Sequence, residues 1–247
     1  MLQTRPDNVG TIYHIVSRGV DKRKIFLDEQ DHFRAVHDLF EFNDTQQLSN
    51  STYYFKNNPL VPNLGLRKTE DVSSVLRRPN IRRPRILLVD LMAFCLMPNH
   101  YHFLIRPRSP GAITIFMKRF NMGYAKYFNE KYKRTGALFE GRYRRIEIVE
   151  ESHFVHVPYY IHCNPLDADF HGWRERILPD HNGAVNFLDS YRWSSHRDYA
   201  GIPTFPSVTQ REFLLSCFGG TEGYKESMKE WLESMKLNEG GKGPFLE

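Results

Sequence analysis

Two histidines one residue apart, His100 and His102, lie in the apolar run Pro98-Asn99-His100-Tyr101-His102-Phe103-Leu104-Ile105. Alternate residues of a β-strand face the same way, so this spacing sets two imidazoles side by side while Tyr101, Phe103 and Ile105 point oppositely. Paired neutral imidazoles make half of a divalent-metal site. Two histidines also fall in one strand by chance, and the pair alone carries little weight. A second group is Tyr159-Tyr160-Ile161-His162-Cys163-Asn164-Pro165, at the expected end of a helix. Positions i and i+4 of a helix share a face, so Tyr160 and Asn164 project together and set a phenol nucleophile beside an amide oxygen ligand. Seen alone, the same segment reads as a buried tyrosine followed by a helix-ending Asn-Pro.

The elements that must position these groups follow from periodicity. Thr11 to Val16 alternates and is rich in β-branched and aromatic residues, which predicts a first strand closed by Ser17-Arg18-Gly19. Phe33, Val36, Leu39 and Phe40 recur at helical spacing between Asp28 and Asn43. Ile86–Met97 and His100–Arg106 read as adjacent strands joined by a tight Met-Pro-Asn turn. Ala112–Tyr132 carries Ile113, Phe116, Met117, Phe120, Tyr124, Tyr127 and Phe128 on one stripe, so Tyr124 and Tyr127 are core residues rather than nucleophiles. Arg142–Val149 reads as a strand with Arg144, Ile146 and Ile148 on one face, and a helix after Ser152 leads to Asn164. Pro158 threatens that helix, which would begin or kink there because proline lacks an N–H and crowds the preceding turn.

The order strand, helix, strand, strand, helix, strand predicts an α+β fold, a ferredoxin-like α/β sandwich with an antiparallel sheet. One domain is expected over residues 1–200, interrupted at about 44–85 by an insertion of Asn, Ser, Pro and Arg, with a C-terminal helical extension and loose tail over 201–247. In the extension, Thr209-Gln210-Arg211-Glu212 has capping-box form, and Met228, Trp231, Leu232 and Met235 mark a last helix.

Composition narrows the function classes. A hydrophobic share of 40% over 247 residues sustains a real core, and a formal charge of +5 with 14% aromatic residues leans toward a polyanionic partner. Cys95, Cys163 and Cys217 have no CxxC spacing, which argues against a zinc knuckle or a disulfide framework and fits a reducing cytoplasm. The segment MLQTRPDNVG has no apolar core of a signal peptide, and no stretch reaches bilayer length.

Taken together, Met97-Pro98-Asn99-His100-Tyr101-His102, then Arg134-Thr135-Gly136-Ala137-Leu138-Phe139-Glu140-Gly141-Arg142-Tyr143, then Tyr160-Ile161-His162-Cys163-Asn164-Pro165 resemble the REP-associated tyrosine transposases, members of the single-tyrosine HUH (IS200-like) transposase family. The resemblance runs from about Gly10 to Gly201 and takes in Tyr191-Arg192-Trp193-Ser194-Ser195. It implies an HUH endonuclease fold, His100 and His102 as metal ligands, Asn164 as the third ligand, and Tyr160 as the nucleophile that forms a 5′-phosphotyrosine and frees a 3′-hydroxyl. The implied cofactor is Mg²⁺ or Mn²⁺, although imidazole also suits Zn²⁺. The implied partners are single-stranded or hairpin DNA and no membrane, with monomer and homodimer both open. Two rivals remain, a non-catalytic hairpin-binding protein of the same fold and a metal-dependent phosphodiesterase that uses water.

DNA contact is expected from Lys118, Arg119, Lys126, Lys131, Lys133, Arg134, Arg142, Arg144 and Arg145, opposed only by Glu130 and Glu140, and from Arg77, Arg78, Arg82, Arg83 and Arg85 at the end of the insertion. Interleaved Tyr127, Tyr132, Phe139 and Tyr143 have the chemistry to stack on unpaired bases.

Overall fold

A computed structural model describes residues 7–45, 85–149 and 151–236, without the side chains of residues 151–153, 155 and 236. Most of the expected insertion, including Arg77, Arg78, Arg82 and Arg83, and the tail from 237 onward lie outside the described residues. The elements run β1 (Ile12–Arg18), α1 (Glu29–Glu41), β2 (Val89–Met97), β3 (His100–Pro107), α2 (Ala112–Lys131), β4 (Arg144–Ile148) and α3 (Glu151–Cys163). The sheet order is β2-β3-β1-β4 with each neighbouring pair antiparallel, which is the ferredoxin-like topology the element order predicts.

Register decides what each face does. Val16 lies opposite His102 and Arg18 opposite His100, and directly opposed residues share a face. The face bearing Tyr13, Ile15, Tyr101, Phe103 and Ile105 packs on α1 and α2, where Phe116, Phe120 and Tyr124 are fully buried. Each such side chain contributes about 1.5–3 kcal/mol by leaving water. The Tyr124 hydroxyl donates to the Ile25 carbonyl at 2.5 Å, so this stripe tyrosine is a structural one. α1 begins where Asp28 accepts from the Asp31 N–H at 3.0 Å.

The opposite face, with His14, His100, His102 and Leu104, is covered by α3 and by helices that follow it: α4 (His181–Ser190), α5 (His196–Tyr199), α6 (Glu212–Cys217) and α7 (Gly220–Glu233). The segment after residue 200 therefore shares the second core, where Tyr224, Met228 and Leu232 pack with Tyr159 and Ile161. Between α4 and α5, Trp193 and Ser195 pair with the outer edge of β2 through Leu96 N–H to Trp193 O (2.9 Å) and Ser195 N–H to Phe94 O (2.9 Å). The Tyr191–Ser195 motif thus closes an edge that would otherwise pair with other chains.

Two local expectations need correction. The capping box does not form: α6 begins after Arg211 without a side-chain cap, because Gln210 is drawn to β2, donating its N–H to Leu91 O and accepting Leu91 N–H on Oε1, both at 2.9 Å. Pro158 does not begin α3, which runs helical from Glu151 to Cys163 with Pro158 inside it.

His162 joins the second core to its cover. Fully buried, it bonds through Nδ1 to the Tyr224 hydroxyl (2.7 Å) and through Nε2 to Ser195 Oγ (2.8 Å). Burial, reinforced by His196, holds its pKa well below 6.5. The unfolded chain takes up a proton at this imidazole as pH falls through 6.5 while the folded chain does not, so stability is lost with acid. His162 should therefore contribute a loss of stability as the pH falls from 7 to 5. Urea unfolding at pH 7 and pH 5 checks this, and a His162→Gln chain with the same pH slope would refute it.

Candidate active site

The β2–β3 hairpin that carries the histidines is fixed at its tip. Pro98 O accepts the N–H groups of Ile25 (2.7 Å) and Phe26 (3.1 Å), and Asn99 O accepts Gly19 N–H at 2.8 Å. Gly19 leaves no room for a Cβ against the Arg23 carbonyl, so the close approach requires glycine. The imidazoles of His100 and His102 consequently lie on one sheet face, with ring centroids 5.0 Å apart.

A third histidine escaped the sequence reading. His14 on β1 is fully buried, stacks on His102 at 5.1 Å, and its Nε2 lies 2.9 Å from His102 Nδ1. His102 Nε2 is buried with no hydrogen-bond partner among the described residues. If His102 donates its Nδ1–H to His14, the Nε2 lone pair is left for a ligand, the pattern in which a metal-bound imidazole is oriented through its other nitrogen. His100 Nδ1 lies 2.6 Å from Asn99 Oδ1, an acceptor, which places the proton on Nδ1 and the lone pair on Nε2. Burial pushes His14 down to about 3, with Arg144 acting the same way. Burial, then Arg18, pushes His100 down to about 4, against Asp167 and a hydrogen bond with Asn164. His102 is held well below 6.5 by burial and then by His14 and His100. At neutral pH the imidazoles are uncharged, the form that ligates a cation.

α3 brings Tyr160 over this face. Its ring stands edge-on to His102 and to His14, with centroids 5.9 Å away in each case. Asn164 opens the 3₁₀ turn Asn164–Asp167 and returns its Nδ2 to the Tyr160 carbonyl at 2.7 Å. Arg174, also absent from the sequence reading, ties the group together. It donates from Nη1 to Tyr160 Oη (2.7 Å) and from Nη2 to Asn164 Oδ1 (2.9 Å). Asp167 holds the guanidinium through Nε to Oδ1 (2.8 Å) and Nη2 to Oδ2 (2.7 Å), and Trp173 Nε1–H donates to Asp167 Oδ1 at 2.6 Å. Neighbouring Tyr159 points into the second core beside Phe218 and Trp231.

Among the described residues, no three His, Cys, Asp or Glu side chains form a group able to hold a metal ion. A cation on this face would rest on two imidazoles and an amide oxygen, and the buried unpartnered Nε2 of His102 fits that donor set.

The structure separates the expected DNA contacts. Arg142 and Arg144, both exposed, line a cleft of about 360 Å³ with Val16, Ser17, Arg18, His100, His102 and Glu140. Lys118, Arg119, Lys126 and Lys131 sit on α2, behind the other sheet face. Arg119 bonds to Asp44 O at 2.5 Å, Lys126 lies 3.8 Å from Glu130, and Lys131 pairs with Asp28 and Asp31 at 2.7 Å each. Tyr127 and Tyr132 bond to Asp31 in the same cluster. Arg134 caps Asn129 Oδ1 at 2.7 Å, Arg145 pairs with Asp7 over the Tyr13 ring, and Lys133 is exposed in a left-handed turn. Arg85 lies on the Phe40 ring and donates to the Phe40 carbonyl. No helix among the described residues is long and apolar enough to cross a membrane.

Fold and site together define a ferredoxin-like α+β protein with paired histidines on one sheet face beneath a tyrosine-bearing helix. Residues 84–164, 81 of the 247, match the family model described as Transposase IS200 like. This segment contains both histidines, the Arg134–Tyr143 stretch, Tyr160 and Asn164, so the motif resemblance to IS200-like transposases is matched over those residues. No curated protein matches the chain. A solved structure of a REP-associated tyrosine transposase bound to a REP hairpin is similar at 14% identity and a TM-score of 0.41, covering 83% of this chain and 89% of that one.

Proposed function

We propose that the protein cleaves and rejoins single-stranded DNA through a covalent tyrosine intermediate, as a single-tyrosine transposase of the REP-associated kind acting on hairpin-forming strands. The observation that carries this reading is Tyr160 standing 5.9 Å edge-on from His102, with its hydroxyl bonded to the same Arg174 that holds Asn164. His100, His102 and Asn164 are the residues that would hold a divalent ion, Mg²⁺ or Mn²⁺. Such an ion supplies positive charge against the negative charge that builds on the phosphate during displacement. Tyr160 Oη attacks phosphorus, the P–O3′ bond breaks, the 3′-oxygen gains a proton and the phenol loses one. A free phenol near pKa 10 is a weak nucleophile at neutral pH. Arg174 orients the hydroxyl by donating to it and places a positive charge where the phenolate forms. Since one phosphodiester replaces another, the reverse step needs no nucleotide.

Single-stranded hairpin oligonucleotides labelled at either end, incubated with Mg²⁺ or Mn²⁺, test this reading. The 3′-labelled fragment should stay attached to protein through denaturation, and the 5′-labelled fragment should end in an extendable 3′-hydroxyl. A protein-free 5′-phosphate on the 3′-labelled fragment would mean that water attacks. Tight binding without cleavage would mean a hairpin-binding protein of the same fold.

A further inference from the structure

The cleft beside the histidines has a polarity. Its walls are β1, β3, β4 and the approach to β4, and its lining includes His100 and His102 but no residue of α3. His102 is therefore the residue it shares with the surroundings of Tyr160. Arg18, Arg142 and Arg144 bring three guanidinium groups to it against the one carboxylate of Glu140. Arg18 Nε is buried and has no hydrogen-bond partner among the described residues. The wall is held in place: Val20 N–H bonds to Leu138 O (2.9 Å) and Glu140 N–H to Arg18 O (2.8 Å), which pins the 138–140 segment against the end of β1.

Displacement at phosphorus runs in line, so the leaving oxygen departs on the side of the phosphate away from the attacking phenol. With Tyr160 on the α3 side of the histidines, the departing 3′-oxygen and the strand behind it face the arginine cleft. We infer that Arg18, Arg142 and Arg144 form a phosphodiester subsite for the strand on the 5′ side of the cut, the one that ends in the 3′-hydroxyl. This rests on the tyrosine-attack reading above and gives it a direction. The strand on the 3′ side is held covalently once cut. The other has no covalent tie, and rejoining needs it to stay within reach, which cationic contacts to its backbone provide.

The test uses oligonucleotides in which two neighbouring phosphates are made neutral as methylphosphonates, either on the 5′ side or on the 3′ side of the cleavage position. For the wild-type protein, neutralising the 5′-side pair should weaken binding about tenfold. In an Arg142→Ala/Arg144→Ala chain that same substitution should cost less than about twofold, since the contacts are already gone, while any penalty from 3′-side neutralisation persists. Both arginines are exposed, so their loss leaves the cores intact. A penalty that the double variant abolishes on the 3′ side instead, or on neither side, would overturn the inference. Adduct formation by the wild-type protein on the unmodified strand is scored separately, so failure of tyrosine attack is read apart from failure of the polarity.

Discussion

Replacing Tyr160 with Phe should lower DNA cleavage by at least about 10⁴-fold, in the range of nucleophile deletions elsewhere, and abolish covalent attachment. The substitution removes one oxygen, and with it the hydrogen bond from Arg174, and leaves the ring in its contacts with His102 and Trp173. Binding to the same strand should stay within about threefold, because backbone contacts and not the phenol dominate such affinity. Tyr159→Phe is the matched control, since that ring packs against Phe218, Tyr224 and Trp231. Residual cleavage above about one part in a hundred would assign the attack to water or to another tyrosine.

Replacing His102 with Ala should have the second large effect. Loss of one imidazole ligand should weaken Mn²⁺ binding, followed by paramagnetic resonance, at least about 100-fold and reduce cleavage by a factor of about 10³. The same change strands His14 Nε2, which now bonds His102 at 2.9 Å in the interior, and an unmatched buried polar group costs about 1–3 kcal/mol. Tyr160→Phe separates the two roles, because it should keep its Mn²⁺ affinity. Unchanged Mn²⁺ binding in His102→Ala would reduce the three histidines to a buried polar cluster within the sheet.

The fold was readable because each element has the period its place demands. The α2 stripe faces one core, and β3 alternates between two faces that are both covered, His100 and His102 on one side and Tyr101 and Phe103 on the other. The i, i+2 rule for strands paired His100 with His102, and the i, i+4 spacing set Asn164, just past the end of α3, near Tyr160; only the motif resemblance joined the two pairs. His14 stayed hidden because its meeting with His102 depends on the β1–β3 register, which no local spacing encodes. Its one signal was a histidine set among the apolar residues Ile12, Tyr13, Ile15 and Val16. Arg174 was missed for a like reason: it lies in the short 3₁₀ turn Trp173–Glu175, ten residues after Asn164, and returns through Asp167. Counting charge along the chain grouped Lys118 through Arg145, whereas the sheet divides them, and the Asp28–Asp31 pair on α1 engages Lys131 from across the fold. Gln210 took a sheet contact in preference to a capping box because the N–H and carbonyl of Leu91 at the β2 edge offered two hydrogen bonds.

The central claim is that Tyr160 becomes bonded to DNA. Protein trapped on a cleaved hairpin strand, digested with nuclease and protease and analysed by fragmentation mass spectrometry, identifies the modified side chain directly. The account predicts a nucleotide joined through its 5′-phosphate to Tyr160, in the peptide that also contains unmodified Tyr159. Cleaved DNA with no modified tyrosine, or the nucleotide on any other residue, would contradict it.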